Sequence, residues 1–324
     1  MTAFGDVEAA AARLDGVAVR TPLFEAVDLG ESLGGRVLVK PENLQRTGSF
    51  KIRGAYNLMC QLTPAQKARG VVAWSSGNHA QGVASAGRLL GIRTAIVMPA
   101  DAPAAKLENT KKLGGEVITY DRYTGDREAI ARKLAAERGA ELVPSYDHED
   151  IIAGQGTVGL EIAEDALAMG LPPDQVLICC SGGGLASGSS LALRALCPGV
   201  RVHTVEPDAF NDTALSLAAG TRVSVSATGQ SICDALQAPT PGKLTFDILK
   251  KGGDAGVAVS DGEVRAAMRY AFRHFKMVVE PGGAVALAAL LSGRVEASGR
   301  TTVVVLSGGN VDAELFARIQ AEPN

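Results

Sequence analysis

The sequence predicts an α/β fold with two open, mostly parallel, twisted sheets flanked by helices, and with a small domain inserted in a large one. Short apolar runs alternate with helical patterns almost throughout the chain, and parallel strands require crossover connections of this kind. The 324 residues suffice for two lobes with separate cores. Aromatic residues make up only 4% and glycines number 38, a balance that favours an α/β enzyme.

The large domain is predicted to comprise residues 1–69 and 148–324, and the small, mobile domain residues 70–147. The large domain begins with a strand at 37–40 and a helix that opens at Lys51. The small domain has strands at 71–74, 94–98, 116–119 and 141–143, and helices at 78–90, 104–113 and 126–138. The large domain then resumes with strands at 176–179, 201–205, 257–259 and 302–306, and helices at 151–169, 185–196, 261–274, 283–291 and from 311 onwards.

Charge and composition exclude several classes of partner. The net charge of -3 and the absence of long basic runs argue against nucleic acid and against an acidic membrane surface. No apolar run reaches membrane-spanning length, and the first residues, with Asp6 and Glu8, do not form a signal peptide. The five cysteines lack metal-ligand spacing, and Cys179 and Cys180 are expected on a buried strand, which indicates a reducing compartment. We therefore expect a soluble, cytoplasmic protein with a small-molecule substrate.

Lys51 stands where a charged lysine is poorly stabilised. It opens a predicted helix with Ser49 as N-cap, so the positive end of the helix dipole faces its ammonium group. Phe50 and Ile52 offer little solvation to the charge, and both effects favour the neutral amine. A neutral amine attacks carbonyl carbon, which suits a Schiff base with an aldehyde cofactor. The alternative is a surface lysine with its charge in water.

A glycine-rich turn follows the strand at 176–179 and opens the next helix. Its residues Gly182, Gly183, Gly184 and Leu185 direct unpaired backbone N–H groups to one point, as phosphate-binding turns do. The dinucleotide spacing G-x-G-x-x-G is missing, so a monophosphate fits better. The alternative is a tight turn that needs glycine conformations.

A second loop of this kind follows the strand at 71–74. Backbone donors at Ser75 and the Ser76 hydroxyl suit a carboxylate, and the Asn78 amide suits an oxygen on a cofactor ring. Ordinary helix capping by Ser76 is the alternative. His79 is expected to satisfy neighbouring groups without transferring a proton.

A third loop, at 307–310, again joins a strand to a helix. The Ser307 hydroxyl is a short, neutral polar group that suits a ring nitrogen. Taken alone this loop is one more glycine-rich turn. Three such loops together with an unusual lysine indicate one kind of ligand.

Four motifs in order resemble the fold-type II pyridoxal-phosphate enzymes, in the serine/threonine dehydratase and serine racemase branch. They are Ser-Phe-Lys-Ile-Arg-Gly-Ala at 49–55, Ser-Ser-Gly-Asn-His at 75–79, Ser-Gly-Gly-Gly at 181–184 and Ser-Gly-Gly-Asn at 307–310. The resemblance runs from about Thr21 to the last strand and implies a tryptophan synthase β-like fold and a homodimer. It places the phosphate on the glycine turn at 182–185.

The resemblance also implies roles for single residues. Lys51 would carry pyridoxal phosphate as a Schiff base, Phe50 would lie against the ring, Asn78 at the ring hydroxyl and Ser307 at the pyridine nitrogen. The substrate would displace Lys51, and the freed amine would remove the Cα proton. Ser307 is neutral and would not keep the ring nitrogen protonated as a carboxylate would, so the carbanion would be less delocalised. β-Elimination to a 2-oxo acid and ammonia should therefore compete well. Ser76 on the opposite face leaves racemisation open.

A candidate metal loop follows the strand at 201–205. Glu206, the Phe210 carbonyl and Asp212 resemble the divalent cation loop of the branch, which would bind Mg2+ or Ca2+. The alternative is that Asp212 caps the next helix while Glu206 is solvated.

The substrate is expected to be L-serine or L-threonine unless Arg127 points inward. Arg127 stands where serine racemases and hydroxyaspartate dehydratases offer an arginine to a second carboxylate, which would make 3-hydroxyaspartate a substrate. The alternative is an exposed arginine between Asp126 and Glu128. A hypothesis from another class is a non-catalytic protein that binds pyridoxal phosphate or a nucleotide.

Overall fold

The computed structural model describes residues 2–75, 77–102, 104–121, 124–226 and 228–323. Ten strands are assigned within these residues, and they form two sheets. The larger sheet has the order β1-β2-β10-β7-β8-β9 and the smaller one the order β5-β4-β3-β6. In chain order the strands are β1 Phe24–Glu25, β2 Arg36–Pro41, β3 Val71–Trp74, β4 Thr94–Pro99, β5 Glu116–Tyr120, β6 Glu141–Leu142, β7 Gln175–Cys179, β8 Arg201–Pro207, β9 Ala255–Val259 and β10 Thr301–Leu306.

The helices flank both sheets. They are α1 Phe4–Leu14, α2 Val27–Ser32, α3 Lys51–Cys60, α4 Pro64–Arg69, α5 Asn78–Leu90, α6 Ala104–Lys112, α7 Arg127–Arg138, α8 Glu149–Ala168, α9 Gly184–Leu196, α10 Asp212–Ala219, α11 Lys243–Gly252, α12 Asp261–Tyr270, α13 Pro281–Leu291 and α14 Ala313–Ala321. Among these helices, none is long and apolar enough to cross a membrane.

The predicted fold class is confirmed. Every strand pairing of the described residues is parallel except that of β1 with β2. The strands of the smaller sheet all lie within residues 71–142. The division of the chain into a large domain and a small mobile domain at residues 70 and 148 stays a prediction.

Some local predictions were wrong. Ser49 does not cap α3, because Phe50 occupies the N-cap position and Ser49 forms a β-bridge with Gly308. The helix expected at 261–274 ends at Tyr270 and continues as a π-helical turn. Helices α1, α2, α4 and α11 were not predicted.

Close packing of α8 against α9 sets the position of the glycine turn. A Cβ atom added at Gly156 would lie 2.7 Å from the Gly188 oxygen, and one at Gly159 would lie 2.5 Å from the Ser189 Cα atom. Only glycine allows these two helices to approach so closely. The start of α9 is therefore held firmly over the larger sheet.

Candidate active site

A cavity of about 880 Å³ lies at the carboxyl ends of β3, β7 and β10. Ligands of parallel sheets bind at such ends. Ten residues predicted for the site line the cavity, namely Phe50, Lys51, Ser75, Asn78, His79, Arg127, Gly183, Gly184, Leu185 and Ser307. Gly182 adjoins this wall, and its carbonyl accepts a hydrogen bond from Thr245 Oγ1. Ser76 lies outside the described residues.

Lys51 is the first residue of α3, and it lines the cavity. Its Nζ donates to the Ser145 carbonyl at 2.9 Å and lies 5.0 Å from the centre of the Phe50 ring. Burial lowers the pKa of Lys51 to about 8, although electrostatic interactions with Cys179 and Glu280 oppose this shift. Part of the side chain is accessible through the cavity. An amine with this pKa is partly neutral near physiological pH and can act as nucleophile or base.

The glycine turn leaves the start of α9 without a side-chain cap. Gly182 and Gly183 have left-handed backbones, with φ of 73° and 96°, and Gly183 is the N-cap of α9. A Cβ atom at Gly182 would lie 2.5 Å from the Tyr146 ring, and one at Gly184 would lie 2.4 Å from Gln155 Oε1. A cradle of bare backbone at a helix N-terminus fits a phosphate group.

Gln155 and Tyr146 were not predicted for the site. Gln155 donates through Nε2 to the Ser145 carbonyl at 3.1 Å, and its Oε1 is buried with no hydrogen-bond partner in the part of the chain that the structure describes. Buried polar atoms are rarely left unpaired, so this oxygen indicates a missing ligand. The polar Gln155 among the small and apolar residues of α8 was a signal for a site residue that sequence reasoning missed.

A polar chain links α5 to the loops of the larger sheet. Asn78 Nδ2 donates to Glu280 Oε1, and Asn310 Nδ2 donates to Asn78 Oδ1 at 2.8 Å. Burial raises the pKa of Glu280 to about 7, and the nearby Asp234 carboxylate acts in the same direction. These contacts hold the Asn78 amide in one orientation beside the cavity. Glu280 was also missed, although an acid directly before a Pro-Gly-Gly helix start indicates an unusual cap.

Ser307 and Cys179 form a hydrogen-bonded pair in the cavity wall. The Cys179 thiol donates to Ser307 Oγ at 3.1 Å. Burial raises the pKa of Cys179 to about 11. The Phe50 amide donates to the Ser307 carbonyl at 3.3 Å, which brings the loop after β10 next to the start of α3. Cys179 was expected on a buried strand, and its contact with Ser307 was not predicted.

His79 is buried and neutral. Its Nε2 lies 2.8 Å from the Val143 carbonyl, and burial lowers the pKa of His79 to about 3, with the Lys51 charge acting in the same direction. Ser75 Oγ accepts from the Gly77 amide at 3.2 Å. Gly77 caps α5 without a side-chain hydrogen bond, so the start of this helix also suits an anion.

Arg127 is the first residue of α7 and lines the cavity near Tyr146. Its side chain is exposed, and within the described part of the chain its guanidinium has no hydrogen bond or ion pair. Asp126 caps α7 by accepting from the Glu128 and Ala129 amides. The Glu128 carboxylate pairs with Arg132 at 2.6 Å. Both flanking acids therefore have other partners, and Arg127 is available to a ligand.

The predicted metal loop lies apart from the cavity wall. Glu206 is fully buried, and its carboxylate accepts from the Thr213 and Ala214 amides at 3.1 Å and 2.8 Å. Asp212 is also buried, and neither of its carboxylate oxygens has a hydrogen-bond partner among the described residues. Burial raises the pKa of Glu206 to about 8 and that of Asp212 to about 7.

The capping alternative for this loop was wrong. Asn211 is the N-cap of α10, Asp212 is its first residue, and Glu206 is buried instead of solvated. Phe210 ends a 3₁₀ turn, and its side chain is buried. Across the described residues, no cluster of three or more His, Cys, Asp or Glu side chains is arranged to hold a metal ion.

The comparison with known proteins defines the class. A family model described as pyridoxal-phosphate dependent enzyme matches residues 14–308. The chain therefore belongs to this family, and the predicted family is confirmed. The cradle of bare backbone at α9 and the buried amine of Lys51 fit the phosphate and the aldehyde of this cofactor.

The relatives narrow the class to ammonia-lyases and racemases. The chain is 45% identical over 324 residues to an L-threo-3-hydroxyaspartate ammonia-lyase of Pseudomonas sp, with 98% of each chain covered. It is 39% identical to a serine racemase of Schizosaccharomyces pombe, covering 98% of this chain and 97% of the relative. A solved structure of maize serine racemase is 36% identical with a TM-score of 0.92, covering 98% of this chain and 96% of that one. The protein is a pyridoxal-phosphate-dependent enzyme of the ammonia-lyase and racemase type.

Proposed function

We propose that the protein is an ammonia-lyase that converts L-threo-3-hydroxyaspartate to a 2-oxo acid and ammonia. The observation that carries this proposal is Arg127, an unpaired cation in the wall of the cavity that holds Lys51. A substrate with a second carboxylate needs such a cation, since an arginine binds a carboxylate with two parallel hydrogen bonds. The 45% identical relative of the same name supports this choice over L-serine and L-threonine.

The residues that would hold pyridoxal phosphate converge on one cavity. Lys51 would bind its aldehyde carbon, and the turn at 182–185 would bind its phosphate. Phe50 would cover one face of the ring, Asn78 would donate to the ring hydroxyl, and Ser307 would face the ring nitrogen. When bound, the cofactor acts as an electron sink that makes the substrate Cα–H bond acidic.

Lys51 would supply the base of the reaction. When it is not bound to the cofactor, the Lys51 amine would be available as a base, because its pKa of about 8 leaves part of it neutral near physiological pH. The Ser145 carbonyl and the Phe50 ring restrict where Nζ can lie. A restrained base close to Cα needs little further ordering to remove the proton.

The start of α5 would bind the α-carboxylate of the substrate. Gly77 leaves the first amides of this helix uncapped, and Ser75 and Asn78 line the cavity beside them. His79 supports this loop through the Val143 carbonyl and, being neutral, adds no charge. Ser76, as predicted from the family, would move a proton on the opposite face.

Arg127→Ala tests the substrate. We expect kcat/KM for L-threo-3-hydroxyaspartate to fall roughly 50-fold, because the second carboxylate of the bound substrate would lose its cation. Activity on L-serine and L-threonine should change less than about threefold. The measurement is 2-oxo acid release from each substrate.

Arg132→Ala is the matched control, because Arg132 lines the same cavity but is paired with Glu128 at 2.6 Å. It should leave the ratio of the two activities unchanged. Equal losses on both substrates in Arg127→Ala would remove the proposed role of Arg127.

The second candidate function is dehydration of L-serine or L-threonine, with racemisation of serine as a side activity. It is favoured by the exposure of Arg127, which also suits a solvated side chain. A panel of L- and D-serine, L-threonine and the 3-hydroxyaspartates distinguishes these functions, with D-serine formation as the sign of racemase activity. A non-catalytic binder would release no 2-oxo acid from any of them.

A divalent cation, Mg2+ or Ca2+, is proposed between Glu206, the Phe210 carbonyl and Asp212. The two unpaired Asp212 oxygens support it, because buried carboxylate oxygens require hydrogen bonds or a cation. Saturating Ca2+ or Mg2+ should raise the Tm by about 3 to 6 °C. Asp212→Asn should abolish this response, whereas Asp208→Asn, at an exposed position of the same loop, should preserve it. A response that survives Asp212→Asn would refute the site.

A homodimer is also proposed. It would cover exposed apolar side chains such as Phe272, at 44%, and Val278, at 45%. Light scattering coupled to size-exclusion chromatography measures the mass directly, and a monomer at micromolar concentration would refute it.

A further inference from the structure

We propose that Cys179 is a positioning residue that turns the Ser307 hydroxyl into a hydrogen-bond donor towards the cavity. The thiol occupies one acceptor position of Ser307 Oγ, and the side of the hydroxyl that stays open faces the cavity, where its proton can reach a ligand. This inference rests on the proposed function, in which Ser307 faces the pyridine nitrogen.

The two residues meet because of strand pairing. Cys179 is the last residue of β7, Ser307 directly follows β10, and the two strands are parallel neighbours. Each residue is 4% exposed, and both line the cavity. The Sγ to Oγ distance of 3.1 Å is short for a hydrogen bond that involves sulfur. The pair is therefore a fixed part of the cavity wall.

The geometry of the pair favours one direction for this hydrogen bond. The Cys179 thiol donates and Ser307 Oγ accepts, whereas in the neighbouring pair of Cys180 and Thr213 either atom can be the donor. A serine hydroxyl has one proton and two lone pairs. Among the described residues no atom accepts the Ser307 proton. The open side of Ser307 is the cavity.

The thiol must stay protonated for this arrangement. Burial raises the pKa of Cys179 to about 11, even though the Ser307 hydrogen bond and the Lys51 charge lower it. A thiolate would instead accept the Ser307 proton and reverse the direction of the bond. With the neutral thiol, Ser307 would donate to the ring nitrogen of the bound cofactor, which would accept this hydrogen bond without a proton of its own. Such a ring would attract electrons less strongly, which would favour elimination.

The test measures the ¹⁵N chemical shift of the ring nitrogen, which reports its protonation and hydrogen bonding. Holoenzyme is prepared with ¹⁵N-labelled pyridoxal phosphate, and the ¹⁵N chemical shift is compared among the native chain, Cys179→Ala and Cys179→Val. Valine suits a buried strand and keeps the volume filled if alanine impairs folding. Both variants remove the donor, so we expect the ¹⁵N signal to move in both. Cys197→Ala, at a buried cysteine outside the cavity wall, is the control and should leave the signal unchanged.

A double-mutant cycle separates positioning from packing. Cys179→Ala should lower kcat roughly 3- to 10-fold with KM nearly constant, the factor that one neutral hydrogen bond supplies. In a Ser307→Ala background the same change should have no effect, since the thiol then has no hydroxyl to orient.

Two results would overturn the inference in distinguishable ways. If pyridoxal phosphate binds through Lys51 and the ¹⁵N signal is unchanged in the Cys179 variants, the positioning role is wrong and the proposed function stands. If the cofactor does not bind to the native chain, the proposed function fails and the inference fails with it.

Discussion

Lys51 and Arg53 are two cations on the first turn of α3, and they have opposite surroundings. Arg53 is fully buried and forms ion pairs with Glu42 at 2.8 Å and Glu161 at 2.6 Å. The Lys51 amine meets a backbone carbonyl and an aromatic ring. Lys40, also fully buried, pairs with Glu161 at 2.6 Å and so resembles Arg53.

The difference shows that burial by itself does not make a cation reactive. Burial works against the charge of Arg53, but the Glu42 and Glu161 carboxylates outweigh it and raise the pKa of the guanidinium. Lys51 has similar burial but forms no ion pair with a carboxylate among the described residues, and its pKa falls to about 8. Paired cations hold the elements together, whereas a buried cation without an ion-pair partner is available for chemistry.

Replacing Lys51 should have the largest effect. Lys51→Ala removes both the proposed attachment point of the cofactor and the proposed base, so 2-oxo acid release should fall at least about 10³-fold. Borohydride reduction followed by mass spectrometry should find the cofactor on the native chain and not on the variant. Lys133→Ala, at a lysine side chain that is 79% exposed, is the control. Retained activity in Lys51→Ala would remove the contrast between the two cations.

Breaking the ion pairs of Arg53 with Glu42 and Glu161 should lower the stability of the protein more than its catalytic activity. Arg53→Met leaves Glu42 buried without its partner, and the free energy of unfolding should fall by about 3 to 5 kcal/mol. Urea unfolding measures this. Arg36→Ala, which removes an exposed ion pair with Glu25, should cost less than about 1 kcal/mol.

A double variant tests whether the lost stability comes from the unpaired Glu42 carboxylate. If Glu42→Gln added to Arg53→Met restores none of the lost stability, the cost does not arise from an unpaired buried carboxylate.

The pH dependence of the cofactor-free protein should show the smallest effect. The folded-state pKa of Lys51, about 8, lies below the ordinary lysine value of 10.5. Between these values the unfolded chain binds more protons, so stability should rise with pH across this window. A difference of one in pKa corresponds to about 1.4 kcal/mol in the free energy of unfolding. Water in the cavity screens the charge and reduces the expected total gain in stability to about 2 kcal/mol.

Lys51→Met should lack this rise, because it has no group to titrate. Urea unfolding of both proteins at several pH values between about 8 and 10.5 gives the comparison. Parallel curves for the native chain and the variant would mean that Lys51 is not desolvated.

The elements around the site were largely predictable from local patterns. The strand at 71–74 and the helix at 78–90 have the predicted bounds. Helix α1 was missed although Val7, Ala10 and Leu14 are buried at helical spacing, because its alanine-rich pattern is weak. The Ser49 cap was wrong because a bridge to Gly308 overrides the local capping preference.

The partners of the buried charges were not predictable. Arg53 pairs with Glu161, which lies 108 positions further along the chain, and Cys179 contacts Ser307, which lies 128 positions further along. Nothing in the local sequence of α3 shows that carboxylates reach Arg53 and not Lys51.

The sequence by itself determined the alternation of strands and helices, the three glycine loops and a lysine at a helix start, because these features depend on neighbours along the chain. Only the tertiary structure decided which cation receives carboxylates, how the Asn78 amide is held and which atom of the Cys179 and Ser307 pair donates. The physical reason is that burial and electrostatic interaction depend on distance in space.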